Sequence, residues 1–437
     1  LKKEGTDVNK VWTRILLAGA AVLLLLFFSN DFGLIDIQET AIVIALGIDG
    51  AEEEEGYNVT AQIAVPASTG SSSAAGVAVK GASTVGEAIS ELNHETGWYP
   101  TLVHCKLILL GEKLAEENVF NVLDYFLRNN AVEDSCLVAV CRGTAQETLE
   151  AQSPVNDISA SAIAKVLSSE AQKTGIVSVT VLKDFAINYY GEGKSGFLPC
   201  ISVKQEAQNQ GGSNASPSFA QDAFAPSIKR NKWWHAKKRP LPIAAPASAQ
   251  SGGESGAGGG EKSGGKDVFQ ASETMLFYEG KRAAVLNSEE TLAYNLAATD
   301  TDYAYGSVTA EKDGEEIVYN LKMKISQKKI KLTFENGMPV ITFRIRASAN
   351  VIDTDAASSI LDVAKTQIAD ETVLKAAEAK FREELSSVYG KAAISGCDVF
   401  GIKKKLYRFR FKEYADFKDS ILEKADVRYD IRFTSLK

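Results

Sequence analysis

The chain has 437 residues, 45% of them hydrophobic and 24% charged, and a formal net charge of −8. This balance is that of a globular protein; it excludes a polytopic membrane chain, a wholly disordered chain, and nucleic-acid binding driven by overall positive charge. The length accommodates two or three domains, each with its own core.

In chain order, the first feature is an apolar run, Ile15–Phe28. Its 14 residues would span about 21 Å as a helix, against a hydrocarbon core of about 30 Å. That length suits a signal-peptide apolar region. Extended by Val11, Trp12 and Phe32–Ile35, with Arg14 snorkelling to the headgroups, it would serve as a short signal anchor. Lys2, Lys3, Lys10 and Arg14 keep the N-terminus cytoplasmic and send the remainder across the membrane. Residues 1–35 are therefore read as tail and anchor, and the rest as an exported part.

Ala41–Ile48 is almost wholly apolar, as a strand buried on both faces is. An acidic turn, residues 49–56, leads to Tyr57–Val65, which alternates with period two. Ser68–Gly81 reads as a small-residue loop. Ser83 or Thr84 caps a helix through Leu92, with Glu87 at capping-box distance. His104–Leu110 reads as a buried strand, running into one helix from Gly111 through Leu127. Ser135–Arg142 is a strand, Thr144–Ala151 a short helix, Ser153–Ala171 helical, and Phe197–Val203 a strand. Strands alternating with helices predict a mixed α/β (α+β) protein of layered sheets and helices.

Residues 205–266 are rich in Ser, Gly, Ala, Gln and Pro, and lack the apolar content to offset ordering entropy; they read as a flexible insertion. Within it, Lys229, Arg230, Lys232, Lys237, Lys238 and Arg239 surround Trp233 and Trp234. Cations attract phosphates and indoles sit at headgroup level, so these residues are a candidate contact with an anionic surface. The alternatives are a solubilising basic loop or tryptophans tucked onto a neighbour.

After the insertion, Thr274–Leu286 is a hairpin turning at Glu279-Gly280, followed by a helix capped by Ser288. Ile317–Ile325, Lys329–Phe334 and Val340–Val351 form three strands of an antiparallel sheet, the last pair turning at Asn336-Gly337. A long amphipathic helix runs from about Asp370 to Tyr389, and Ala425–Phe433 is a final strand. The domain reading is 36–152, then 153–306 carrying the insertion, then 307–437.

No catalytic arrangement is present: no phosphate-binding loop, HExxH, GxSxG or paired Cys/His signature. His104, on its apolar strand, is read as structural, and Asp49 as a turn-opening carboxylate bonded to its own backbone. Cys105, Cys136, Cys141, Cys200 and Cys397 show no framework spacing and are read as buried thiols. No metal and no cofactor are expected. These features indicate a binding or assembly protein.

Several segments, in order, resemble the Ger(x)C family, the C subunits of nutrient germinant receptors in endospore-forming bacteria. They are Glu39–Asp49; Gly86–Leu92 followed by Val103–Ala115, a histidine-bearing strand running into a Gly-Glu-x-Leu-Ala helix start; Phe126–Asn129; Ala139-Val140 with Gly143-Thr-Ala; and Cys397-Asp-Val-Phe-Gly401. The resemblance covers most of residues 36–203 and, more loosely, 267–401. It implies a three-domain mixed α/β ectodomain without enzymatic activity, tethered outside the membrane. Its implied partners are two integral-membrane receptor subunits, in a receptor that senses a small-molecule nutrient, with no nucleic acid. Family members carry a lipidated cysteine before the entry strand. This chain has Asn30-Asp31-Phe32-Gly33 there, so Asp31 stands where the cysteine would be and lipid attachment at that place is excluded. The competing reading is a general cell-envelope adaptor that holds anionic lipid or wall polymer.

Overall fold

The computed structural model describes residues 4–29, 40–51, 56–65, 73–129, 132–153, 156, 158–205, 267–312, 314–355 and 368–435. Asp31 and the basic tryptophan segment 229–239 lie outside the described residues.

α1 (Glu4–Ser29) comes first. Its described side chains, residues 12–24, are all exposed, including Ile15, Leu16, Leu17, Leu23 and Leu24. Among the described residues, no helix is long and apolar enough to cross a membrane.

A nine-stranded sheet follows. Its strands are β1 (Thr40–Gly50), β2 (Tyr57–Val65), β3 (Ser73–Ala82), β4 (Tyr99–Thr101), β5 (Leu107–Leu110), β6 (Leu137–Cys141), β7 (Ser195–Gln205), β8 (Asp267–Tyr278) and β9 (Lys281–Leu286). The order is β3-β2-β1-β5-β6-β7-β8-β9, with β4 paired to β1. β1, β5, β6 and β7 run parallel at the centre, and antiparallel pairs flank them. A central parallel strand is buried on both faces, which is why β5 is all apolar. Its Leu107 and Leu109 enter one core, and Ile108 and Leu110 the other. The helices α2 (Val85–Thr96), α3 (Phe120–Asn129) and α7 (Leu182–Tyr189) cover the second face; α4 (Ala145–Glu150) and α5 (Ser159–Val166) cover the first, with α6 (Ser169–Lys173) after them.

α8 (Ser288–Ala298) leads to a second sheet of β10 (Tyr303–Lys312), β11 (Glu315–Glu335), β12 (Met338–Thr354) and β13 (Asp426–Ser435). α9 (Glu371–Ile394), α10 (Ile402–Phe409), α11 (Phe411–Phe417) and α12 (Ile421–Lys424) carry the chain from β12 to β13. That helical crossover brings β13 in parallel to β12, so the sheet expected to be antiparallel is so only for β10–β12.

The mixed α/β class read from the alternation of elements is that of the structure. Several local expectations change. Residues 73–82 are an edge strand rather than loop, because backbone pairing to β2 needs no large side chain. The helix expected through 111–127 is a short 3₁₀ turn, Leu114–Glu116, and then α3. It breaks because Val119 N–H donates to Gly280 O at 3.0 Å, and Asn118 Oδ1 accepts from Phe120 N–H at 3.0 Å. His104 sits exposed in the turn before β5, not on the strand. Asn287, not Ser288, caps α8, with Glu290 completing a capping box. The two strands expected within 317–334 are one, β11, with an irregularity at Ile325/Gln327.

Candidate functional site

Four of the motif segments fall into two junctions, while Gly86–Leu92 lies in α2 and Phe126–Asn129 ends α3. The first lies at the C-terminal ends of the parallel strands. β1 ends in Asp49-Gly50, β5 runs into Gly111-Glu112 and β6 into Arg142-Gly143, with Thr144 capping α4. The Asp49 carboxylate accepts from Ala145 N–H at 2.8 Å and from Gln146 N–H at 3.1 Å, the first turn of α4. It bridges two distant elements, whereas the sequence reading has it bonded to its own turn. Burial pushes the Asp49 carboxyl up, against those two amide bonds and with Glu147 adding repulsion. A β-carbon at Gly111 would lie 2.1 Å from Asp49 Oδ1, so only glycine lets β5 pass. Above this turn, Arg142 pairs with Glu112 and with Glu273 of β8, and Arg282 of β9 pairs with Glu112 and Glu116. This ladder of half-exposed pairs crosses the sheet from its parallel centre to its antiparallel edge.

The second junction is Cys397-Asp-Val-Phe-Gly401. The Cys397 thiol donates to Phe277 O at 3.1 Å. Asp398 N–H donates to Ser195 Oγ at 2.7 Å, and Ser195 Oγ–H donates to Gly193 O at 2.6 Å. The Asp398 carboxylate accepts from Ile402 and Lys403 N–H, both at 2.7 Å, and so caps α10. Gly401, at φ +65°, makes the turn between them. Burial pushes Asp398 up to about 6, against those amide bonds and the charges of Lys403 and Lys405. Phe400 enters the core of the second sheet beside Tyr294 and Phe343. A cleft of about 390 Å³ lies beside this turn, with Asn188 and Phe197 on one side and Lys404, Lys405 and Arg408 on the other.

A larger groove of about 890 Å³ lies between the sheets, its floor apolar through Phe269, Leu292, Met323 and Phe381. Its rim carries the Lys380–Glu289 pair at 2.6 Å. Burial, with Glu289 and Glu290 nearby, pushes the Glu384 carboxyl up there. Volumes of this order hold small molecules.

All five cysteines are buried and free, and burial pushes the thiols of Cys200 and Cys397 up to about 12. Among the described residues, no group of three or more His, Cys, Asp and Glu could hold a metal ion. The sequence singled out Asp49 and the Asp398 turn but missed Arg142, Ser195 and Glu273. Their partners lie as many as 203 residues away, and no periodicity marks such pairs.

These features define a two-sheet mixed α/β protein whose recurring motifs are fastenings between elements. The chain belongs to the GerAC family of spore germination proteins: residues 34–203 match the spore germination protein N-terminal domain, and residues 272–434 match the spore germination B3/GerAC-like C-terminal domain. The insertion falls between the two matches. Comparison with curated proteins gives no match. Among solved structures, the chain is similar to one described as the crystal structure of the GerBC protein. That likeness has 18% identity over 90% of this chain and 97% of that one, with a TM-score of 0.47.

Proposed function

We propose that this GerAC-family protein is the C-type subunit of a nutrient germinant receptor. In this reading it is a non-enzymatic part that couples receptor assembly to germination from the outer side of the spore inner membrane. The observation that carries it is the succession of both family domains on one chain, behind an apolar helix whose described side chains are exposed. α1 is the tether in this reading, because Asp31 removes the lipidation site. The junction residues support a non-catalytic role, since Asp49, Arg142, Ser195 and Asp398 are all hydrogen-bonded within the fold. The partners are two integral-membrane receptor subunits, and the signal a small-molecule nutrient.

An in-frame deletion in the spore-forming host tests this. Germination, followed by loss of optical density with amino acids and with sugars, should fail for at least one nutrient. A tagged chain should co-isolate two integral-membrane proteins. Normal germination with every nutrient would sink the receptor reading, and retained wall or lipid binding in that case would favour the adaptor.

A further inference from the structure

The C-terminal helices carry a surface that the family motifs leave unexplained. Residues 403–412, Lys-Lys-Lys-Leu-Tyr-Arg-Phe-Arg-Phe-Lys, hold six cations and no acid, in a chain of net charge −8. α10 is seated by Ile402 and Leu406, both fully buried, and by Lys403, whose ammonium lies 5.6 Å from the centre of the Tyr278 ring. Lys405 turns back to donate to Phe400 O at 3.4 Å, and the remainder of the run is exposed. Tyr407, Phe409 and Phe411 are 43%, 72% and 69% exposed, and Lys404, Arg408, Arg410 and Lys412 are exposed with them.

Soluble surfaces rarely interleave exposed aromatics and cations one for one, because each ring left in water forgoes the gain of burial. Here the rings are also held in place. Tyr407 packs edge-on against Phe411 and Tyr414, at 5.9 and 5.2 Å between centroids, and Arg408 lies over Phe409 at 5.7 Å. Tyr414 is fixed in turn by its hydroxyl bond to Glu192. Acidic side chains return only from Glu413 onward.

We propose that the outward face of α10 and the start of α11, Tyr407–Lys412, docks onto an anionic phospholipid surface. The rings enter the headgroup layer and the cations pair with lipid phosphates. The chemistry fits that occupant on both counts: aromatic rings favour the interface, and each cation gains from the negative surface potential. The inference goes beyond the receptor reading and stands without it, since it requires lipid but no other subunit.

The test uses the full chain reconstituted in vesicles, so that α1 is present throughout. The native cysteines are buried, which lets a Phe409→Cys variant carry a single environment-sensitive fluorophore. Its emission should shift to the blue in vesicles containing phosphatidylglycerol and not in pure phosphatidylcholine. A label at Met338→Cys, 49% exposed at the β11–β12 turn, should not shift in either. Adding Arg408→Glu and Arg410→Glu should abolish the Phe409 shift, whereas deleting residues 229–239 should leave it. No shift in the anionic vesicles, an equal shift at both labels, or a shift that needs added receptor subunits would each overturn the proposal.

Discussion

In the first junction, the backbone of Gly111 leaves no room for a side chain beside Asp49. A methyl at Gly111 would overlap Asp49 Oδ1, 2.1 Å from the ideal β-carbon, and displace the carboxylate from the two amides that start α4. Gly111→Ala should therefore destabilise the protein by about 2–4 kcal/mol, the cost of overpacking plus one buried and one half-buried donor left unpaired. Asp49→Asn keeps one good acceptor and should cost about 1–2 kcal/mol. Denaturant midpoints measure both, and wild-type midpoints for the pair would show that this turn carries no stability. The importance of Asp49 was legible in the sequence, whereas its partner was not. A reading along the chain sees only nearby backbone, and the amides it bonds lie 96 and 97 residues on. His104 failed for a related reason: flanking apolar residues suggested a strand, but pairing begins only at Leu107.

Among the elements, those with a local cap were the most legible. Thr84 caps α2, with Glu87 accepting from Ser83 N–H at 2.8 Å, and Asp370 caps α9. β3 was hidden because its residues are small, and β11 was split by its own irregularity. α10 has a cap of another kind, Asp398 reaching from four residues before its start, and this gives it a pH signature. Unfolded aspartate titrates near about 3.9, whereas burial raises Asp398 to about 6 in the fold. Between those values the folded protein holds a proton that the unfolded chain has released. This contribution to stability is thus complete below about pH 4 and is lost as pH rises to about 6, by ~3 kcal/mol for the one group. Glu290 and Asp430 are held below the ordinary carboxylate range and pull the other way. The informative quantity is therefore the difference in unfolding free energy between wild type and Asp398→Asn, which should fall across that window. A difference that stays flat from pH 4 to 6 would show that Asp398 titrates as in the unfolded chain.

At the scale of the whole molecule, the alternation of strands and helices announced the mixed α/β class. It was silent on how the two sheets meet, because that contact uses ordinary core residues. Leu276 of β8 and Leu286 of β9 share one core with Ile341, Phe343 and Leu385 of the second sheet and its long helix. Tyr294 stands at the centre of that contact. Its ring, 2% exposed, packs edge-on against Phe197 of β7 and Phe400 of the Asp398 turn, at 5.3 and 5.7 Å. Its hydroxyl donates to Val399 O at 3.4 Å. Beside it, buried Glu290 joins α8 to α9 through Lys391 at 2.6 Å and Ser387 at 2.7 Å. A core this continuous should unfold in one step, although chains of this size commonly do not. Scanning calorimetry of the wild type should show one transition with equal calorimetric and van't Hoff enthalpies. Tyr294→Ala removes the shared ring at a cost of about 3–5 kcal/mol, and should split that transition into two, one for each sheet. Tyr294→Phe loses only a long hydroxyl bond and should keep a single transition, lowered by about 1 kcal/mol. Two transitions in the wild type, or a single one in Tyr294→Ala, would mean that the sheets are not coupled through α8.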